Sequence, residues 1–225
     1  MIESIPPWAI VVVVLFLFSI ATFFLKILSN GGILIANAIG IAAFAFGGTV
    51  AFFALLVFYV LAELATWVGR KGEEKHAQRT SSNIFGNCAA AIAALFFGQY
   101  IAFFGAVSAA FADTVSSEIG LISKAKPVLI TNLKKVEKGT DGGVTALGFA
   151  ASLVAAAIIG AIYYFFVSAS LKAFAAFVVS GFLGGAFDSF LGATFQRRGM
   201  LTNTQVNFFA SIFGALVAVA IVNLF

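Results

Sequence analysis

Six stretches of this sequence are apolar over the length of one membrane span or two, and they alternate with short segments that hold most of its charge. A helix rises 1.5 Å per residue, so about 20 apolar residues cross a hydrocarbon core about 30 Å thick. Trp8–Leu28, Val144–Val167, Ala173–Phe195 and Gln205–Phe225 each supply one span. Ile33–Trp67 is long enough for two, with a break near Gly47 and Gly48. Ile84–Ile119 reads as a hairpin turning near Gly98 and Gln99, its first half short and either tilted or embedded without fully crossing. The chain has 62% hydrophobic and 10% charged residues and a mean hydropathy of +1.09, too apolar for a soluble globule. The expected fold is an all-α polytopic membrane protein of about eight helices. It forms one domain over 1–225, with a three-helix part at 1–82 and a motif-bearing core at 83–225. The first run follows Glu3 without a basic residue, lacks a small-residue cleavage site and exceeds a signal-peptide core, so it is expected to be a retained helix.

Eight spans put the three polar loops on one side. Those loops hold Arg70, Lys71, Lys75, Arg79, Lys124, Lys126, Lys134, Lys135, Lys138, Arg197 and Arg198. Lys26 falls on the same side and Lys172 on the other. The positive-inside rule therefore places the loops in the cytoplasm and both termini outside. It also accounts for the basic pI without a nucleic-acid partner. A seven-span chain with Ile84–Phe97 re-entrant would break the pattern. Cys88 is the one cysteine and His76 the one histidine, which excludes an intramolecular disulfide and two-histidine metal sites. Cys88 is expected to be a buried packing residue.

Acidic residues inside apolar spans cost a few kcal/mol each, so each is a functional candidate. Glu63 lies near the cytoplasmic end of its helix and is expected to be structural, snorkelling or pairing with Arg70. Asp113, Thr114, Ser117 and Glu118 share one helix face at spacings of three and four. Seven residues separate Asp113 from Gly120, so it lies about 10 Å below that helix end. Gly181, Gly184, Gly185, Asp188, Gly192 and Gln196 form a stripe on a later helix, with Ser189 beside it. Glycines alone would indicate close helix packing, whereas an acid among them points to a cavity wall.

Between these helices, Lys134, Lys135 and Lys138 precede Gly139-Thr140-Asp141-Gly142-Gly143, with Thr145 following at a predicted helix start. Amides at a helix start, glycines and cations suit phosphate binding, although the spacing is not that of a Walker A loop. Taken together, the carboxylates can hold one or two Mg²⁺ ions that bridge polyphosphate oxygens cradled by the loop. That combination suits phosphoryl or nucleotidyl transfer at a membrane surface.

Three ordered motifs carry a family likeness: Ala-Asp-Thr-x-x-Ser-Glu-x-Gly at 112–120, Lys-Gly-Thr-Asp-Gly-Gly-Val-Thr at 138–145, and Gly-x-x-x-Asp-Ser-x-Leu-Gly-Ala-x-x-Gln at 184–196. Asn83, Asn87 and Asn207 add to it. With these the chain resembles the family that includes phytyl-phosphate kinase of tocopherol biosynthesis and transmembrane protein 19, catalogued as domain of unknown function ninety-two. That group is similar in turn to dolichol kinases and phosphatidate cytidylyltransferases. The resemblance implies a kinase that uses CTP and a divalent cation such as Mg²⁺ to convert phytyl or geranylgeranyl monophosphate to the diphosphate, releasing CDP. It implies Asp113, Glu118 and Asp188 as metal-binding or catalytic acids. It also implies that Lys134, Lys135, Lys138, Gly139, Thr140, Asp141, Gly142, Gly143 and Thr145 hold nucleotide phosphates. Asn83, Asn87, Thr114, Ser117, Ser189, Gln196 and Asn207 complete the expected pocket. Thr145 stands where serine is expected in many relatives and keeps the hydroxyl.

Two other readings stand beside the kinase. A cytidylyltransferase acting on a lipid phosphate would release pyrophosphate from the same motifs. A transporter would use the buried acids without consuming nucleotide, and would leave the glycine-rich loop unexplained. The lipid bilayer is a partner in every case, and the sequence is compatible with a homodimer without fixing the oligomeric state.

Overall fold

A computed structural model describes residues 6–70 and 78–224. Glu3, Lys71, Lys75 and His76 lie outside the described residues. Seven α-helices make up most of what is described: α1 (Pro7–Phe24), α2 (Asn30–Gly69), α3 (Ser81–Phe96), α4 (Tyr100–Leu121), α5 (Ala146–Phe166), α6 (Leu171–Thr194) and α7 (Asn203–Leu224). Hydroxyl caps fix several of the starts. Ser29, Thr145 and Ser170 accept from the amides of Gly32, Gly148 and Ala173, and Thr80 and Asn83 form a reciprocal capping box.

α2 is two helices joined at Gly48, whose φ of 71° and ψ of −168° suit glycine alone. The chain reverses there. Gly40 faces Phe52 across the break, and the backbone of Ser29 pairs with that of Arg79 while Arg79's side chain reaches Ala62 and Thr66. The reversal is further secured by Tyr100, whose hydroxyl donates to the Gly47 carbonyl at 2.9 Å. Counting the halves of α2 separately gives the eight expected segments, with breaks at Gly48 and Gly98 as the sequence indicates.

α3 has 16 residues, about 24 Å of rise. It runs alongside the first half of α2 for that half's full length, with Ser81 beside Gly31 and Leu95 packed on Gly47. The polar segments after α2, α4 and α6 therefore gather at one end of the bundle. One of them contains an element that the apolar pattern does not foretell: β1 (Val128–Leu129) pairs antiparallel with β2 (Gly143–Val144) immediately before α5.

α4 is the central helix. Every residue from Phe103 to Ala112 is buried, and α2, α3, α5, α6 and α7 all pack on it. Small residues set these approaches. Gly181 lies against Ser108 and Ala156, Gly184 against Ala109, and Gly214 against Gly105. Ser108 donates to the Phe177 carbonyl at 2.7 Å, an interhelical bond inside the apolar core. Large side chains such as Phe16, Leu34, Val154, Phe165 and Leu216 point outward. This is the arrangement of an integral membrane protein, whose solvent over most of its surface is lipid.

Candidate functional site

A polar cavity of about 430 Å³ opens at the end of the bundle where the three polar segments meet. Its floor is formed by the last turns of α4 and α6. Gly185 on α6 sits against the backbone of Asp113 on α4, and the carboxyl groups of Asp113 and Asp188 adjoin there. Asn207 of α7, with its NH₂ group turned toward the acids, donates to Asp188 Oδ2 at 3.1 Å and to the Asn203 carbonyl at 3.2 Å. Its amide meets that of Asn87 on α3 at 2.9 Å. Four helices thereby converge on one carboxylate pair.

The glycine-rich loop forms a second wall. Gly142, with φ of 75°, presses against Ala193, and its amide lies against Gly192 one turn beyond Asp188. Gly143 donates to the Thr140 carbonyl at 2.9 Å, closing the turn. Thr145 caps α5, so the first turn of that helix starts at the cavity wall and directs its positive end there. Lys138 reaches the cavity and donates to the Leu121 carbonyl at 2.7 Å.

Asp113, Glu118, Asp188, Lys138, Gly139, Thr140, Asp141, Gly142, Gly143, Thr145, Asn83, Asn87, Thr114, Ser117, Ser189, Gln196 and Asn207 all line this cavity. Lys134 and Lys135 do not. Asn132 Oδ1 accepts from the Lys134 amide and Leu133 takes a φ of 57°, and this turn leaves both lysines exposed to solvent.

The acid assignments also change in detail. Glu118 is held by Arg70 in a 3.0 Å ion pair, because Gly69 allows α2 to end against the Glu118 backbone. Glu63 pairs with Arg79 at 3.3 Å, not with Arg70 as expected. The backbone pairing of Arg79 with Ile27 and Ser29 lays its guanidinium along α2, where it also donates to Thr66 at 2.7 Å. Sequence reasoning missed Thr66, Arg70, Arg79, Ser116 and Asn203 as lining residues. Arg79 was visible only as a loop charge and Arg70 as a loop charge within reach of Glu63, and the Arg70–Glu118 contact across 48 residues leaves no local spacing to read.

Among the described residues, no three Asp, Glu, His or Cys side chains cluster tightly enough to hold a metal ion by themselves. The paired aspartates still suit Mg²⁺, which binds proteins through one or two carboxylates and fills its octahedron with water and substrate phosphate oxygens. With Glu63 and Glu118 engaged by arginines, Lys138 faces Asp113, Asp141 and Asp188 in the cavity.

The chain is 34% identical over 208 residues to a membrane protein of Methanocaldococcus jannaschii, covering 87% of this chain and 86% of the relative. It is 41% identical over 98 residues to Protein PGR of Arabidopsis thaliana, covering 39% of this chain and 34% of that protein. With Protein VTE6, chloroplastic, of the same plant it shares 26% identity over 214 residues, 85% of this chain and 64% of that protein. No solved structure matches it. The model of the integral membrane protein DUF92 family matches residues 12–215, which takes in every motif of the cavity, and the chain belongs to that family.

Proposed function

We propose that this protein is a CTP-dependent isoprenyl-phosphate kinase, converting a membrane-held phytyl or geranylgeranyl monophosphate to its diphosphate on the cytoplasmic face. The observation that carries this reading is the convergence, in one polar cavity beside the bilayer, of a carboxylate pair, a lysine and a glycine-rich turn at a helix start. The one-sided distribution of loop lysines and arginines supports the cytoplasmic orientation.

The lipid phosphate is already a nucleophile. One of its oxygens forms a bond to the γ-phosphorus of CTP as the bond from that phosphorus to the β–γ bridging oxygen breaks, and the electron pair leaves with CDP. Lys138 and the first-turn amides of α5 orient the nucleotide phosphates and balance their charge. Asp113 and Asp188 would hold Mg²⁺, which when bound neutralises charge on the transferring phosphoryl group. Asn207 fixes the orientation of Asp188, and Arg70 holds Glu118 in an ion pair at the cavity wall.

The test is product analysis with purified protein in detergent, Mg²⁺, CTP and phytyl or geranylgeranyl monophosphate. CDP together with prenyl diphosphate supports the kinase. Pyrophosphate with a CDP-linked lipid would replace it with cytidylyl transfer, and no nucleotide consumption across several prenyl lengths would reject both.

A further inference from the structure

A second, apolar cavity of about 90 Å³ lies between α1, the two halves of α2, and α3. Its walls include Leu15, Ala36, Gly40, Phe52, Leu55 and Ile84, with Leu55 shared with the core around α4. Arg79, Asn83 and Asn87 line this slot and the polar cavity alike, so the two spaces adjoin at these three polar side chains. Tyr59 lines the slot as well, and its hydroxyl is buried without a hydrogen-bond partner among the described residues. A buried hydroxyl left unpaired is destabilising, so this one is open to a partner. The slot is walled on one side by α1, a helix that packs chiefly on α2 and leaves most of its surface to lipid.

We infer that this slot receives the head-proximal segment of the lipid substrate's single hydrocarbon chain while its phosphate lies in the polar cavity. The inference rests on the proposed function only in taking the polar cavity as the site of a lipid phosphate. The volume sets what the slot can read. It is smaller than the roughly 150 Å³ apolar cavity that holds benzene, so it takes a few carbons of one chain and leaves the remainder in the bilayer. Tyr59 gains a partner from an oxygen of the phosphate ester. Chain identity next to the phosphate is therefore read by packing, and total chain length is read weakly.

The test is photolabelling of the full chain in detergent with geranylgeranyl monophosphate carrying a diazirine in its first isoprene unit, with the label mapped by mass spectrometry. The expected label falls on slot residues of α1, α2 and α3. It is displaced by unlabelled geranylgeranyl monophosphate and not by inorganic phosphate, and it drops at least about tenfold in Ala36→Phe. Label spread over the lipid-facing sides of α5 to α7, equal labelling of Ala36→Phe, or equal displacement by dioleoyl phosphatidate would overturn the slot. The map on the unsubstituted chain decides independently of whether Ala36→Phe folds. Slot labelling without nucleotide consumption would remove the kinase and leave the slot; turnover with label elsewhere would do the reverse.

Discussion

The amide of Gly142 in the glycine-rich loop lies directly against Gly192 on α6, so two motifs 50 residues apart share one backbone-to-backbone contact. A side chain at either position has nowhere to go. Gly142 also requires its positive φ. Gly142→Ala should cost about 3 kcal/mol of stability, seen as a lowered melting temperature in detergent, and should lower CTP turnover by at least about a hundredfold. Gly139→Ala tests the contribution of space, because Gly139 has a positive φ and nothing within 4 Å of where a side chain would begin. It should cost about 1 kcal/mol.

Asp113→Asn and Asp188→Asn should each reduce turnover by about a thousandfold or more while leaving the melting temperature within a few degrees of the unsubstituted protein. Each removes one of two adjoining carboxylates and retains its shape. Thermal shift against added Mg²⁺ and CTP should show stabilisation of the unsubstituted chain and none of either variant. A variant that retains turnover would remove its aspartate from the mechanism.

Lysines in the same loop should separate by position. Lys134→Ala and Lys135→Ala, outside the cavity, should leave the KM for CTP within about twofold, whereas Lys138→Ala should raise it at least about tenfold. Equal effects at all three would mean that the loop acts through its general positive field.

The Arg70 and Glu118 ion pair is partly exposed, with side chains 35% and 13% accessible, so its coupling should be modest. A double-mutant cycle with Arg70→Ala and Glu118→Ala should give about 1 kcal/mol in stability. If Glu118 were instead a metal ligand, Glu118→Gln would abolish turnover as completely as Asp188→Asn. A fall of no more than about tenfold is expected.

At the far end of the bundle, Gly48→Ala should lower stability by about 2 kcal/mol through backbone conformation alone, since nothing lies within 4 Å of an added side chain. Tyr100→Phe should cost about 1 kcal/mol by leaving the Gly47 carbonyl without its hydroxyl partner. Neither change should alter the KM for CTP.

The membrane frame was legible because apolar length and glycine breaks are local properties, and the paired glycines at 47 and 48 marked a reversal of the chain. The cavity was legible because Asp113, Asp188 and the Gly139–Gly143 turn are costly or unusual where they stand. What sequence did not yield depends on contacts between distant segments. Arg79 pairs with Glu63 because of a backbone bridge to Leu28 and its neighbours, and Lys134 and Lys135 turn outward because of the Asn132 amide and Leu133 backbone. β1 and β2 are two residues each, too short for any alternation to announce them.

The far ends of the helices are joined by very little: Gly48 alone within α2, Phe97–Gln99 between α3 and α4, and Val167–Ser170 between α5 and α6. Among the described residues, and apart from the chain ends, that face presents almost no surface to proteases, antibodies or soluble partners. Among the described residues between the chain ends, reagents and regulators therefore meet this protein chiefly through the face that bears the cavity or from within the lipid, and limited proteolysis of oriented vesicles should cut its internal loops from one side.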